Sequence, residues 1–279
     1  MKTIAIVTGA TSGIGREFVR QLDGEYYGRI DEFWAVGRSQ ERLAELAAST
    51  YAPVRAFALD LTCQDSLDKL RSELAAENAR VSSEGGELRV GWLVNSAGFG
   101  RFGAFGSPAG SDDSEADAAA GGIDAQMVRL NCLALTELCE MALAHMGPGS
   151  RIVNMASVAA YLPISPMATY AATKRFVLDV TRALNEDLRG TDIHACAVCP
   201  KAVRTRFWDE AGTAAGIGFA FGTERAYDVV RKAIAVVERG AGSVITAPDM
   251  KLACGVAKVL PYPALAQAAR LATSLQPRP

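Results

Sequence analysis

Tyr170 and Lys174 stand four residues apart in the run Tyr170-Ala-Ala-Thr-Lys174. At that spacing two side chains share one face of a helix. A free phenol, with a pKa of about 10, exchanges protons poorly at neutral pH, and a neighbouring ammonium favours the phenolate and lowers that value. The pair is therefore expected to give Tyr170 a proton it can trade at working pH, the property of a general acid/base. Taken singly, each residue also has an ordinary alternative, a half-buried aromatic or a solvated helix charge.

A second chemistry-bearing run lies near the start of the chain, Thr8-Gly9-Ala10-Thr11-Ser12-Gly13-Ile14-Gly15. It follows an apolar β-branched stretch and precedes Arg16-Glu-Phe-Val-Arg-Gln-Leu22, which has helical spacing. Glycines between a strand and a helix let the backbone approach a pyrophosphate held at the helix N-terminus. A glycine-rich turn without a ligand has the same appearance in isolation. Cys196 and Cys199 form a C-x-x-C within an apolar run. In a strand this odd spacing puts the two thiols on opposite faces, whereas a redox pair needs both together at the start of a helix. His145 and His194 are the only histidines, and neither has a second ligand at metal spacing, so no metal is assigned.

These residues need a scaffold, and the hydrophobic pattern supplies one. Short apolar runs at 3–8, 33–36, 54–58, 90–94, 151–154, 193–198 and 243–246 read as strands. Between them lie amphipathic stretches such as 66–80, where Leu67, Leu70 and Leu74 recur at helical intervals. Alternation of this kind predicts an α/β fold, a Rossmann-type doubly wound seven-stranded parallel sheet in a single domain over 1–247. The acidic, glycine-rich segment 107–122 has no apolar periodicity and is expected to be a mobile insertion. The tail 248–279 is expected to be a docked helix or a subunit contact. Such segments can also touch membrane, but the basic residues here are few.

At 49% hydrophobic and 22% charged residues, the composition is that of a globular protein. A formal net charge of -2 leaves no basic footprint for nucleic acid or acidic membranes, which makes a small molecule the default partner. The first ten residues hold too short an apolar run for a signal peptide, and no stretch approaches a membrane span. A cytoplasmic location is expected, with the six cysteines as thiols.

Further motifs appear in order: Asn95-Ser-Ala-Gly98 after a strand, Asn131 within a helix, Ser157 after the strand at 151–154, and then the Tyr170/Lys174 pair. With the glycine loop, they resemble the short-chain dehydrogenase/reductase family from Lys2 to about Ile245. The resemblance implies an enzyme that moves a hydride between NADP(H) and a carbonyl or alcohol carbon. Ser157 would then donate a hydrogen bond to the substrate oxygen where negative charge develops. Lys174 would also hold the nicotinamide ribose, and Asn131 would anchor a proton-relay water. The cofactor positions implied are Gly9, Thr11, Ser12, Gly13, Ile14 and Gly15 in the loop, Arg38, Asp60 and Leu61, Asn95, Ala97 and Gly98, Tyr170 and Lys174, and Pro200, Val203 and Thr205. A homodimer or homotetramer is implied as well.

Cofactor choice rests on the end of the second strand. Gly37 fills the position where an NAD enzyme of this fold carries an acid, and Arg38, suited to a 2′-phosphate, follows, so NADP(H) is expected over NAD(H). The family's other basic marker is replaced by Ser12, and Asp60 resembles the residue that faces the adenine. One departure is Pro200-Lys201, where the family reads Pro-Gly. Loss of that glycine is expected to shift the backbone framing the nicotinamide. The Lys201 side chain is expected in solvent, with an acidic substrate group as the alternative. Phe99, Phe102, Leu162, Phe207 and Trp208 near the mouth suggest a mostly apolar substrate. The rival reading is a catalytically silent NADP(H)-sensing regulator or scaffold, which would be expected to lack Tyr170, Lys174 or Ser157.

Overall fold

Seven apolar runs become strands: β1 (Lys2–Thr8), β2 (Glu32–Gly37), β3 (Val54–Ala58), β4 (Leu88–Asn95), β5 (Arg151–Met155), β6 (His194–Cys199) and β7 (Ser243–Ile245). Each ends within two residues of its expected bounds. The structure is a computed structural model that describes residues 1–26, 28–101, 105, 122–162, 167–205, 222–261, 263–265 and 267. The strands form one sheet in the order β3-β2-β1-β4-β5-β6-β7, with every pair parallel. The order reverses between β1 and β4, which opens a crevice at the carboxyl ends of the strands. Register aligns Thr8 with Asn95 and Asn95 with Asn154, so the strand ends that carry the motifs finish level.

The helices are α1 (Gly13–Glu25), α2 (Gln40–Ala47), α3 (Gln64–Ser83), α4 (Gly122–Val128), α5 (Leu135–Leu143), α6 (Ala168–Asp187), α7 (Ala226–Val237) and α8 (Pro248–Ala257). A π-helical turn, Arg129–Ala134, joins α4 to α5, and a 3₁₀ turn, Val158–Tyr161, follows β5. Alternation along each strand splits the core into two layers. Ile4 and Ile6 pack with Leu70 and Leu74 of α3 and Val177 and Leu178 of α6. Ala5 and Val7 pack on the other side with Phe18 and Leu22 of α1 and Val229 and Val230 of α7. Cys199 falls in the first layer and Cys196 in the second, on opposite faces, and all six cysteines are free thiols.

α8 buries Met250, Cys254 and Ala257. Of the 107–122 segment only Gly122 lies among the described residues. No helix among the described residues is long and apolar enough to cross a membrane, and none of them form a group of ligands that could hold a metal.

Candidate active site

The glycine loop is built by close approach. Thr8 Oγ1 accepts the amide protons of Ser96 and Ala97, at 3.1 and 3.0 Å, which ties the end of β1 to the loop after β4. Gly9 sits at φ +64°, and a Cβ there would stand 2.9 Å from Ala97 N. A Cβ on Gly15 would stand 2.3 Å from the Gly9 carbonyl oxygen, so the first turn of α1 can rest on the loop only without one. Ser12 precedes α1 but its side chain makes no capping bond, and no acid occupies the first turn. The leading N–H groups of α1 and the positive end of its dipole are therefore not matched by a side chain of the helix itself, as an anion site requires.

The other cofactor positions divide into those that border the crevice and those that support it. A Cβ on Gly37 would meet the Thr11 methyl at 2.6 Å, so glycine lets the loop lean on the end of β2. Arg38 is exposed just beyond it. Asp60 is exposed and accepts bonds from Thr62 N and Thr62 Oγ1, whereas Leu61 is buried in the core. The Asn95 side chain turns into the core, where its Nδ2 donates to Asn154 Oδ1 at 2.9 Å, and Asn154 in turn donates to Thr181 of α6. Asn95 thus braces β4, β5 and α6 with its side chain. The Gly13 and Thr205 positions touch, since a Cβ on Gly13 would lie 2.7 Å from the Thr205 methyl.

The four candidate catalytic residues converge where β4, β5, the π-helical turn and α6 meet. Asn131 is buried, its Oδ1 accepting from Phe99 N at 3.2 Å and its Nδ2 donating to Phe99 O at 2.9 Å and to Thr173 Oγ1 at 3.1 Å. π-Turns inside helices recur at functional sites because they redirect side chains. Lys174 is 6% exposed, and its Nζ donates to the Met155 carbonyl at 2.7 Å. A Cβ on Gly98 would lie 2.9 Å from Asn131 Oδ1 and 3.4 Å from Lys174 Nζ, which brings the three positions together. Ser157 precedes the 3₁₀ turn, where its Oγ accepts the Ala159 amide proton at 3.1 Å. It also hydrogen-bonds the Tyr170 hydroxyl.

The electrostatics correct one expectation. Burial pushes the Tyr170 phenol up to about 12, and the bond from Ser157 only partly opposes it. Burial also brings the Lys174 ammonium down to about 8. The ammonium lies over the phenol ring, 5.7 Å from its centroid, with Nζ held by Met155. Loss of water around the hydroxyl is the leading effect, and it favours the neutral phenol over the phenolate.

Lys201 corrects another. Its Nζ pairs with Asp249 Oδ2 at 2.7 Å, and its side chain is 15% exposed, so it is held in an ion pair and not in solvent. Among the described non-glycine residues only Asp192 has a positive φ, so Lys201 occupies an ordinary backbone conformation and needs no glycine. Phe99 and Leu162 are partly buried near the site, whereas Phe102, Phe207 and Trp208 lie outside the described residues. The sequence assigns no role to Thr8 or Thr173, although Thr8 heads the glycine run and Thr173 lies between Tyr170 and Lys174. Ser157, Tyr170 and Lys174 are all present and in contact, which disfavours a silent sensor.

Comparison with known proteins bears on the family and the fold. The family described as short chain dehydrogenase matches residues 3–216. Sulfoacetaldehyde reductase 2 of Chromohalobacter salexigens is 31% identical over 212 residues, 74% of this chain and 75% of that protein. Very-long-chain 3-oxoacyl-CoA reductase of Macaca fascicularis is 27% identical over 209 residues, which span 72% of this chain but only 60% of that longer protein. A short-chain dehydrogenase from Sphingobium yanoikuyae, solved with NADPH, superposes with a TM-score of 0.71 at 25% identity, covering 100% of this chain and 97% of that one. A Burkholderia phymatum structure solved with NAD shares the fold at a TM-score of 0.71 and 21% identity, over 91% and 92% of the two chains.

Proposed function

Because this chain belongs to the short-chain dehydrogenase family of oxidoreductases, which act on carbonyl and alcohol carbons, we propose that it uses NADP(H) in preference to NAD(H) and acts on a mostly apolar small molecule. The observation that carries the catalytic reading is the hydrogen-bonded Ser157–Tyr170 hydroxyl pair with Lys174 buried against the tyrosine ring.

The residues present suit the cofactor. The loop that Gly9 and Gly15 allow to pack against the start of α1, whose leading N–H groups no side-chain cap or first-turn acid engages, would hold the diphosphate. Arg38 would hold the 2′-phosphate, with Gly37 leaving no acid to repel it. Lys174 would hold the nicotinamide ribose, and Val203 and Thr205 would border the ring. When bound, NADP(H) supplies or accepts the hydride.

In the reductive direction the Ser157 hydroxyl, whose oxygen is already occupied by Ala159 N–H, donates its proton toward the substrate oxygen and steadies the charge that develops there. Neutral Tyr170 gives its phenolic proton to that oxygen. The Lys174 ammonium then stabilises the tyrosinate that forms. Asn131, held by Phe99 and Thr173, anchors the path by which the proton is replaced.

Phe99 and Leu162 support an apolar substrate. Val128, Leu133 and Phe176, apolar yet exposed on neighbouring helical segments, support a homodimer or homotetramer. A cytoplasmic site of action is part of the same proposal. The test is NADPH oxidation against a panel of ketones, aldehydes, quinones and steroids. Turnover of at least one carbonyl is expected, and its persistence in Tyr170→Phe would overturn the mechanism.

A further inference from the structure

The segment 200–205 runs between the two halves of the site. At one end Pro200 O accepts the Val158 amide proton at 3.0 Å, next to Ser157. At the other end Thr205 lies against Gly13 of the glycine loop. The segment therefore touches both the Ser157 turn and the start of α1.

Three groups clamp it. Lys201 N donates to Glu224 Oε2 at 3.1 Å, and Lys201 Nζ donates to Asp249 Oδ2 at 2.7 Å on the first turn of α8. Glu224, with a side chain only 9% exposed, also accepts from Thr246 Oγ1 at 2.7 Å and lies 3.8 Å from Lys232 Nζ. Its backbone completes the clamp, with Glu224 N donating to Ala202 O at 2.8 Å and Arg204 N donating to Glu224 O at 3.2 Å. Lys201 is thus the one side chain of 200–202 that reaches across to α8, and it pulls that helix and the segment together. A glycine at 201 would keep the bond from its amide to Glu224 and lose the link to α8.

We infer that Lys201 is a positioning residue for the cofactor cleft, and that its ion pair with Asp249 fixes the 200–205 segment between Ser157 and Gly13. This rests on the reading above, in which Val203 and Thr205 border the cofactor. Lys201 acts through that backbone and touches no reacting atom.

NADPH titration, followed by fluorescence, of the full chain and of Lys201→Met, Asp249→Asn and the double variant tests the pair. Each single change is expected to weaken NADPH binding about threefold to tenfold, the range of a partly exposed ion pair that holds a site. The double variant is expected to lose no more than either single one, because all three remove the same interaction. Lys201→Arg, which keeps a cation, is expected to bind within about twofold of the parent, and melting temperatures should stay within a few degrees. Unchanged binding in the single variants, additive losses, or no recovery with arginine overturns the proposal. Asp249 is half exposed, so Asp249→Asn decides the matter alone if Lys201→Met fails to fold. Tyr170→Phe separates the two readings: if it stays active, the mechanism falls and the clamp stands. If the parent chain binds no NADPH, both fall.

Discussion

Asn131 Nδ2 donates to Thr173 Oγ1 at 3.1 Å, and Thr173 Oγ1 donates to the Tyr170 carbonyl at 2.8 Å. One hydroxyl thereby joins the π-helical turn to the first two turns of α6, where Tyr170 and Lys174 sit. Because Thr173 is 3% exposed, water cannot substitute for it. Thr173→Val keeps the shape and removes both bonds. It is expected to cost about 1–2 kcal/mol of stability by denaturant unfolding, with a severalfold fall in turnover. Unchanged values for both would show that the link does not position the site.

Tyr170→Phe deletes only the hydroxyl. Turnover is expected to fall about 10²–10⁴-fold, the usual cost of losing a general acid, while NADPH binding persists. Lys174→Ala is expected to weaken both. Stopped-flow NADPH oxidation beside a binding titration reads the two effects separately, and a Tyr170→Phe variant with most of the parental rate would refute the assignment.

Burial lowers the Lys174 pKa to about 8, which means that its charged form is destabilised in the fold. The penalty is fully present below pH 8 and fades as pH rises from about 8 toward the ordinary lysine value of 10.5, because the folded state sheds the proton first. Lys174→Met is therefore expected to melt higher than the parent at pH 7 while losing turnover. That gap should narrow between pH 8 and 10.5, and calorimetry across this range would expose a gap that stays constant or widens.

Glu77 has the opposite sign. Its bonds to Arg80 and Lys2 hold its carboxyl down at about 2. The stabilisation is present above the ordinary glutamate value of 4.5 and is lost as pH falls from there toward 2. The full shift corresponds to about 3 kcal/mol, and water around half-exposed Arg80 reduces it to about 1–2 kcal/mol. Glu77→Gln is expected to unfold at lower denaturant at pH 7, with the deficit shrinking by pH 3. An equal deficit at both pH values would point to packing instead of charge.

Arg38→Ala is expected to weaken NADPH binding about tenfold to a hundredfold and leave NADH binding nearly unchanged, since a charge-assisted contact to a phosphate is worth about 1.5–3 kcal/mol. Parallel fluorescence titrations check this. Equal losses for the two cofactors would remove Arg38 from the 2′-phosphate site.

Much of this molecule was legible before folding. A β-branched run such as 3–8 specifies its own strand, and Leu67, Leu70 and Leu74 specify a helix, because backbone periodicity is encoded within a few neighbouring residues. For the same reason the spacing of Tyr170 and Lys174 put them on one helical face, and the odd spacing of Cys196 and Cys199 kept them apart. What those neighbours cannot encode is what arrives from far along the chain. The Thr8 bond to Ala97 spans 89 positions and the Lys201 pair with Asp249 spans 48. Whether Tyr170 is a phenol or a phenolate was also decided by packing. Spacing brought the ammonium near, but the exclusion of water by the surrounding elements, a property of the assembled fold, is the leading effect on the hydroxyl and favours its protonated form.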